Sequence, residues 1–186
     1  MQDDSRRARL LELLKEEAVL KGRFELASGK ISDQYLDGRR VTLHPEGAIL
    51  CAEMLLDRID ELGLEPDCVG GPTLGADPLV SSMVVISQQR GRPLPGFLIR
   101  KKKKEHGTKQ ALEGQWKPGQ RAVIVEDTVS TGGSAAEALE LVKDAGVEIA
   151  AVMCIVDREV GGRERLAPHR FDALFTAEEI GFRPGG

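Results

Sequence analysis

The sequence predicts an α/β fold with a mainly parallel central sheet flanked by helices. Short β-like runs alternate with stretches whose apolar residues recur at helical spacing, which is typical of βαβ units. No internal repeat and no Pro/Ser linker interrupts this alternation, so we expect a single domain over residues 1–186. Unusual glycine-rich and charged stretches follow the strand candidates directly, and in such sheets ligands bind beyond the carboxyl ends of the strands.

The elements follow from periodicity and end signals. Helices are predicted over 5–20, 46–62, 76–90 and 133–146, the last ended by Gly146. Strands are predicted at Cys68–Val69, Gly96–Arg100, Arg121–Val125 and Glu148–Val156. The carboxyl ends of these strands bring four stretches to one edge of the sheet: VGGPTLGAD, LIRKKKK, VEDTVSTGG and IVDREVGG.

Composition excludes several classes of protein. Of 186 residues, 41% are hydrophobic and 30% charged, as in globular proteins, and the net charge of −4 gives no general attraction for nucleic acid. Three widely spaced cysteines, Cys51, Cys68 and Cys154, predict reduced thiols with no disulfide frame and no zinc site. The longest apolar run, residues 149–156, is too short to span a membrane. We therefore expect a cytoplasmic protein without nucleic-acid or membrane partners.

The stretch VIVEDTVSTGGSA, residues 123–135, carries the most chemistry. A buried strand over 123–125 leads into Glu126 and Asp127, which we expect at its carboxyl end. The Gly/Ser/Thr turn over 128–134 then opens a helix, whose N-terminal N–H groups suit a phosphate monoester. The acids would repel that phosphate but suit sugar hydroxyls or a metal, so the loop fits a phosphorylated ribose. The alternative is a capped loop with solvated acids.

The same stretch resembles the phosphoribosyl pyrophosphate (PRPP) signature of the type I phosphoribosyltransferases. It departs from the usual pattern in having Thr128 and Ser130. The resemblance implies the type I fold and PRPP contacts from Glu126, Asp127 and the loop residues, namely Thr128, Val129, Ser130, Thr131, Gly132, Gly133 and Ser134.

Four further segments resemble orotate phosphoribosyltransferases: residues 26–47, 70–79, 96–114 and 154–162. The resemblance implies transfer of ribose 5-phosphate from PRPP to N1 of orotate, with Mg²⁺ held mainly by the diphosphate and not by protein ligands. It also implies a homodimer in which a flexible loop at about 101–115 completes the partner's site, and a small hood from about 20–40.

The run RKKKKEHG begins at Arg100 and supplies the implied loop residues. By position, Arg100, Lys101, Lys104 and His106 match residues that contact the diphosphate, and Lys101, Lys104 and Asp127 are the implied catalytic residues. As a charge run alone, Lys101–Lys104 is more typical of a solvated loop, and the alternative for His106 is a neutral surface histidine.

Arg158 and Ser130 are the residues that the resemblance assigns to orotate. A guanidinium can grip a carboxylate with two hydrogen bonds, and the carboxylate is what distinguishes orotate from uracil. The alternative for Arg158 is a surface ion pair with Asp157 or Glu159. Tyr35, in the hood segment, either stacks on the base or packs in the core.

Some family residues have no counterpart in this chain. Ala27 stands where certain bacterial members have a lysine, and Leu74 and Gly75 replace an aromatic–lysine pair. The backbone of Thr73–Ala76 remains a candidate for a diphosphate-binding loop, since Gly75 permits close approach.

Two other functions remain open at this point. One is a phosphoribosyltransferase for another base. The other is a PRPP-sensing regulator that binds nucleic acid, against which stand the acidic composition and the lack of room for a helix-turn-helix domain.

Overall fold

The computed structural model describes residues 2–25, 29, 31–100 and 111–183. The described strands are β1 (Val19–Glu25), β2 (Ile31–Leu36), β3 (Cys68–Pro72), β4 (Gly96–Ile99), β5 (Leu112–Gly114), β6 (Arg121–Val129), β7 (Glu148–Asp157) and β8 (Phe171–Thr176). The described helices are α1 (Gln2–Leu13), α2 (Arg39–Thr42), α3 (Pro45–Glu61), α4 (Asp77–Gln89), α5 (Gly133–Asp144) and α6 (Gly162–Arg165).

Six of the strands form one sheet in the order β5-β4-β3-β6-β7-β8. Only β5 is antiparallel to its neighbour, while β3, β4, β6, β7 and β8 run parallel. The prediction of a mainly parallel sheet flanked by helices is confirmed. Because the carboxyl ends of parallel strands meet at one edge, the loops after β3, β4, β6 and β7 lie together there.

Each face of the sheet is covered by helices, which explains the apolar run at the centre of β6. Val123 and Val125 pack with α1, α3 and α4, whereas Ile124 packs with α5 on the other face. These three side chains are fully buried, and burial of such a side chain contributes roughly 1.5–3 kcal/mol to the free energy of unfolding.

The first predicted helix is too long at its C-terminal end. α1 stops at Leu13, one π-helical turn follows over Leu14–Ala18, and β1 begins at Val19. Pairing of Val19 with Leu36 and of Leu20 with Tyr35 in an antiparallel hairpin overrides the helical spacing. The prediction did not include this separate two-stranded sheet, nor β5 and β8.

The central strand, by contrast, is longer than predicted. β6 continues through both acids to Val129, because β7 extends beside it and pairs Glu126 with Cys154 and Val129 with Asp157. The acids therefore belong to the strand itself and do not follow it.

The other predicted helices are confirmed within a residue or two of α3, α4 and α5. Gly146, just beyond α5, has a left-handed φ of 76°, which ends the helix as expected. The three cysteines are buried and free, as predicted. Within the described ranges no helix has the length and apolarity needed to cross a bilayer.

Candidate active site

The loop after β6 forms a small polar cavity at the carboxyl edge of the sheet. The cavity has a volume of about 140 Å³ and is lined by Glu126 and residues 128–135. α5 starts at its base, and no described side chain caps the N-terminus of that helix. The first amides of a helix need acceptors, so the cavity offers N–H groups and a favourable dipole to an anion.

Two glycines give this loop its shape. Gly132 has a left-handed φ of 71°, a conformation that side chains disfavour. A Cβ on Gly162, at the start of α6, would lie 2.4 Å from the carbonyl oxygen of Ser130, so the two loops can touch only because this side chain is absent.

Glu126 and Asp127 leave opposite faces of β6, as successive strand residues do. Glu126 is buried on the α5 side, lines the anion cavity and acts on the pKa of Cys154. Asp127 lies on the side of the loop Thr73–Ala76, where a Cβ on Gly75 would be 2.7 Å from its Oδ1 atom. The two acids thus flank the strand end, and a sugar lying across this end could reach both.

Asp127 is largely enclosed by its neighbours. Burial raises the pKa of its carboxyl group; the Thr128 amide, which donates to Oδ1 at 2.8 Å, and the Arg39 cation oppose this increase. Gly38 also packs closely against this carboxyl group: a Cβ added to Gly38 would lie 3.0 Å from the Oδ2 atom of Asp127. Arg39 itself bonds Asp37 at 2.9 Å. A carboxylate with a raised pKa in a cleft is a candidate for proton transfer.

We predict that Gly75→Ala damages catalysis and leaves the fold intact. The new methyl group would meet the flexible end of Asp127, and this carboxylate must move away. Where such a carboxylate takes part in a reaction, a displacement of this size lowers kcat/KM about tenfold or more. Steady-state kinetics and thermal unfolding of the same preparation measure the two effects separately.

Gly47→Ala in α3 is the contrasting control. Its Cβ would lie 2.3 Å from the backbone oxygen of Val41, which cannot move aside cheaply. This variant should lose about 1–3 kcal/mol of stability, while the folded fraction stays active. Equal kinetic losses in both variants would contradict the role given to Gly75.

Arg158 and Ser130 come together at the ends of β7 and β6. The Arg158 Nη1 atom donates to Ser130 Oγ at 2.8 Å, while Nε is buried and finds no acceptor among the described residues. Asp157 instead accepts from the Glu159 amide at 2.9 Å and pairs with Arg163 at 3.5 Å. Arg158 therefore makes a contact inside the site and not the surface ion pair considered as an alternative.

Arg100 is the described end of the basic run. Its Nη1 atom lies 3.1 Å from Glu113 Oε1, and its amide donates to the Ala111 oxygen at 2.8 Å. Lys101, Lys104 and His106 lie outside the described residues. Residues 112–114, within the predicted flexible loop, form β5.

Tyr35 lies on the surface of the hairpin and not in the core. It is 40% exposed, its ring centroid is 5.6 Å from that of Phe24, and it is close enough to influence the pKa of Arg158. The core-packing alternative for Tyr35 is therefore wrong.

The described residues offer no closed metal cage: within them, no group of three or more His, Cys, Asp or Glu side chains is placed to hold an ion.

Sequence reasoning missed Gly38, Arg39 and Phe182. Gly38 and Arg39 were visible only as part of the hood segment, in the letters DGRR. Phe182, whose ring centroid lies 5.0 Å from the Arg158 guanidinium carbon, stands in a C-terminal stretch that carries no local signal.

Known proteins show the same architecture. The phosphoribosyl transferase domain family matches residues 38–180. An orotate phosphoribosyltransferase of Rhodopirellula baltica is 43% identical over 183 residues, covering 95% of each chain. One of Streptomyces coelicolor is 46% identical over 160 residues, covering 86% of this chain and 87% of the relative.

A solved structure agrees with these sequence relatives. The Mycobacterium tuberculosis orotate phosphoribosyltransferase in complex with PRPP superposes with a TM-score of 0.81 at 34% identity, covering 95% of this chain and 99% of the other. The chain belongs to the phosphoribosyl transferase domain family and, within it, to the orotate phosphoribosyltransferases.

Proposed function

We propose that this protein transfers the 5-phosphoribosyl group of PRPP to N1 of orotate, giving orotidine 5′-monophosphate and diphosphate in de novo pyrimidine (UMP) synthesis. The observation that carries the proposal is the Arg158–Ser130 pair, joined at 2.8 Å, beside the anion cavity of the β6–α5 loop. An arginine recognises the carboxylate and the cavity recognises the 5-phosphate.

The reaction breaks the bond between ribose C1 and the diphosphate and forms the bond between C1 and orotate N1. Loosening of the first bond places positive charge on the ribose ring. Glu126 and Asp127 hold the ribose hydroxyls from the two sides of β6, and their negative charge stabilises that ring. Asp127, whose pKa is raised by burial, also assists the movement of the N1 proton.

The leaving diphosphate takes the bonding electrons and needs positive charge around it. Arg100, Lys101, Lys104 and His106 supply that charge from the protein. A Mg²⁺ ion, held mainly by the diphosphate, would neutralise further negative charge there. The backbone of Thr73–Ala76 donates to the same group, and closure of the loop over the site excludes water.

The assembly belongs to the proposal as well. The chain is a single domain over 1–186, with the hairpin β1–β2 as the hood and the loop from residue 101 reaching the site of the other subunit in a homodimer. The protein works in the cytoplasm, where PRPP and orotate are its partners.

The assay that tests the proposal follows orotate absorbance with PRPP and Mg²⁺, with uracil and the purine bases as alternative acceptors. Orotate should be consumed only when PRPP and the metal are both present. Consumption of another base in its place would support a different phosphoribosyltransferase. No turnover of any base, together with a shift of DNA or RNA in a gel at physiological salt, would support the PRPP-sensing regulator.

Arg158→Ala should raise KM for orotate about ten- to a hundredfold with little change in KM for PRPP. The orotate carboxylate would lose a charged bidentate partner, whereas the 5-phosphate would keep its loop. Arg121→Ala, an exposed arginine at the start of β6 and so at the opposite edge of the sheet, is the control and should leave both constants unchanged. An unchanged KM for orotate in the Arg158 variant would remove Arg158 from base recognition.

A further inference from the structure

Phe182 covers the guanidinium group of Arg158. The guanidinium carbon lies 5.0 Å from the ring centroid, and the Phe182 side chain is only 3% exposed. An aromatic face attracts a guanidinium through its quadrupole, and more strongly where water is excluded. Burial also lowers the pKa of Arg158, as expected for a half-buried cation.

Few other contacts orient this guanidinium. Nη1 donates to Ser130 Oγ at 2.8 Å, and Nε has no acceptor among the described residues. One hydrogen bond at an edge leaves the plane of the group free to rotate about that edge. The ring of Phe182 limits this freedom, because turning the group away would give up the contact between the cation and the ring face.

The C-terminal segment that carries Phe182 is tied to both sides of the site. The Phe182 amide donates to the Ala177 oxygen at 2.9 Å, and the Ala177 amide donates to the oxygen of Asp157, next to Arg158, at 2.8 Å. On the other side the Arg183 amide donates to Gln34 Oε1, on hood strand β2, at 2.9 Å. Phe182 is thus fixed between the hood and the end of β7.

We propose that Phe182 is a positioning residue that sets the orientation of Arg158 for the carboxylate of orotate. Gln34, which holds the adjacent amide, supports it from the hood. This inference rests on the function proposed above. Phe182 lies beyond residues 38–180, which the family domain matches, so this domain pattern does not contain it.

The test uses two product nucleotides that differ only in the carboxylate: orotidine 5′-monophosphate and uridine 5′-monophosphate. Phe182→Leu keeps an apolar side chain but removes the aromatic face. By titration calorimetry the substitution should weaken the binding of orotidine 5′-monophosphate about three- to thirtyfold, the range expected for a half-buried cation–π contact. The affinity for uridine 5′-monophosphate should change less than about twofold, since this ligand does not use the oriented guanidinium. In steady state, KM for orotate should rise while kcat at saturating orotate stays unchanged.

Phe171→Leu is the matched control, because the Arg163 guanidinium lies over the Phe171 ring at the same distance, 5.0 Å. It removes an equivalent pair that is not assigned to base recognition, so both nucleotides should bind as they do to the wild type. Gln34→Ala leaves the core intact and releases only the bond to the Arg183 amide. This variant should weaken the binding of orotidine 5′-monophosphate about two- to fivefold and leave the binding of uridine 5′-monophosphate unchanged.

Each outcome decides the proposal. Equal weakening of both nucleotides by Phe182→Leu would make the residue merely structural and overturn the inference, as would no change in either. If Phe182→Leu loses its cooperative thermal unfolding, Gln34→Ala decides: selective weakening supports the inference and its absence overturns it. A wild-type protein that consumes no orotate would instead remove the proposed function itself.

Discussion

Asp127→Asn is expected to lower kcat about a hundred- to a thousandfold in a protein that remains folded. In the proposed mechanism the substitution removes the negative charge on one side of the ribose ring and the group that assists the N1 proton. Both act on charge that develops in the transition state, where a single preorganised group is worth this much. Asparagine keeps an oxygen for the Thr128 amide, which now bonds Oδ1 at 2.8 Å, so the local geometry should persist.

The stability of this variant provides an independent check. Burial raises the pKa of Asp127 above its value in the unfolded chain, so its ionisation costs folding free energy. The contribution of Asp127 to the free energy of unfolding is therefore fully present below the pKa of the unfolded chain, roughly 4. It is lost as the pH rises through the higher pKa of the folded protein. At neutral pH the neutral asparagine avoids this cost. The variant should therefore unfold at the same temperature as the wild type or a higher one, and the difference should shrink in acid.

Asp144→Asn, an exposed acid at the end of α5, is the control for charge removal and should change neither kcat nor this pH dependence. Full activity of Asp127→Asn would exclude Asp127 from the chemistry. A variant that is inactive but also unfolds well below the wild type at neutral pH would make the loss of activity structural.

Lys104→Ala should lower kcat about a hundredfold while the affinity for orotidine 5′-monophosphate changes little. The residue lies outside the described part of the chain, and its role follows from its position in RKKKKEHG. Removing a cation from a leaving diphosphate raises the barrier without touching the carboxylate site at Arg158. Steady-state turnover and calorimetry on the same variant separate these effects.

Lys102→Ala is the matched control in the same run of lysines, since Lys102 has no family counterpart there. It should keep nearly full turnover. Equal losses in the two variants would indicate a general effect of loop charge, and unchanged turnover of Lys104→Ala would remove the loop from the mechanism.

Mixing Lys104→Ala with Asp127→Asn tests whether the loop serves the other subunit. If it does, a mixed dimer carries both defects in one site and none in the other. Random exchange of subunits should then restore about a quarter of wild-type activity. If each loop serves its own subunit, every site carries one defect and activity stays low.

The sheet could be predicted from the sequence because the residue types of its central strands reflect their burial. Residues 123–125 are apolar on successive positions, and only a strand covered on both faces requires this. The hairpin β1–β2 could not be predicted in the same way. Its residues carry mixed burial, and its first residues also fit the helical spacing of the preceding segment, so pairing with β2 decided their conformation.

The loop after β6 that forms the anion cavity could also be predicted from the sequence. The strand, the acids, the Gly/Ser/Thr turn and the helix start are contiguous over residues 123–135, so one stretch of letters contains the whole cradle. The face of the sheet on which each acid lies could not be predicted, because the strand was expected to end at Val125 and the acids would then follow it. Extension of β6 to Val129 places them on opposite faces.

By itself the sequence determined the fold class and marked the Gly/Ser/Thr loop as a candidate phosphate site, while its resemblance to orotate phosphoribosyltransferases pointed to Arg158 and Ser130. The elements follow from periodicity and the loop from contiguous residue types, and both are local patterns. Only the tertiary structure decided how these residues are arranged: Gly75 and Gly38 against Asp127, Ser130 against Arg158, and Phe182 over the guanidinium. Each of these contacts joins residues distant in the chain, and their distances depend on how the sheet brings its strand ends and the C-terminal segment together.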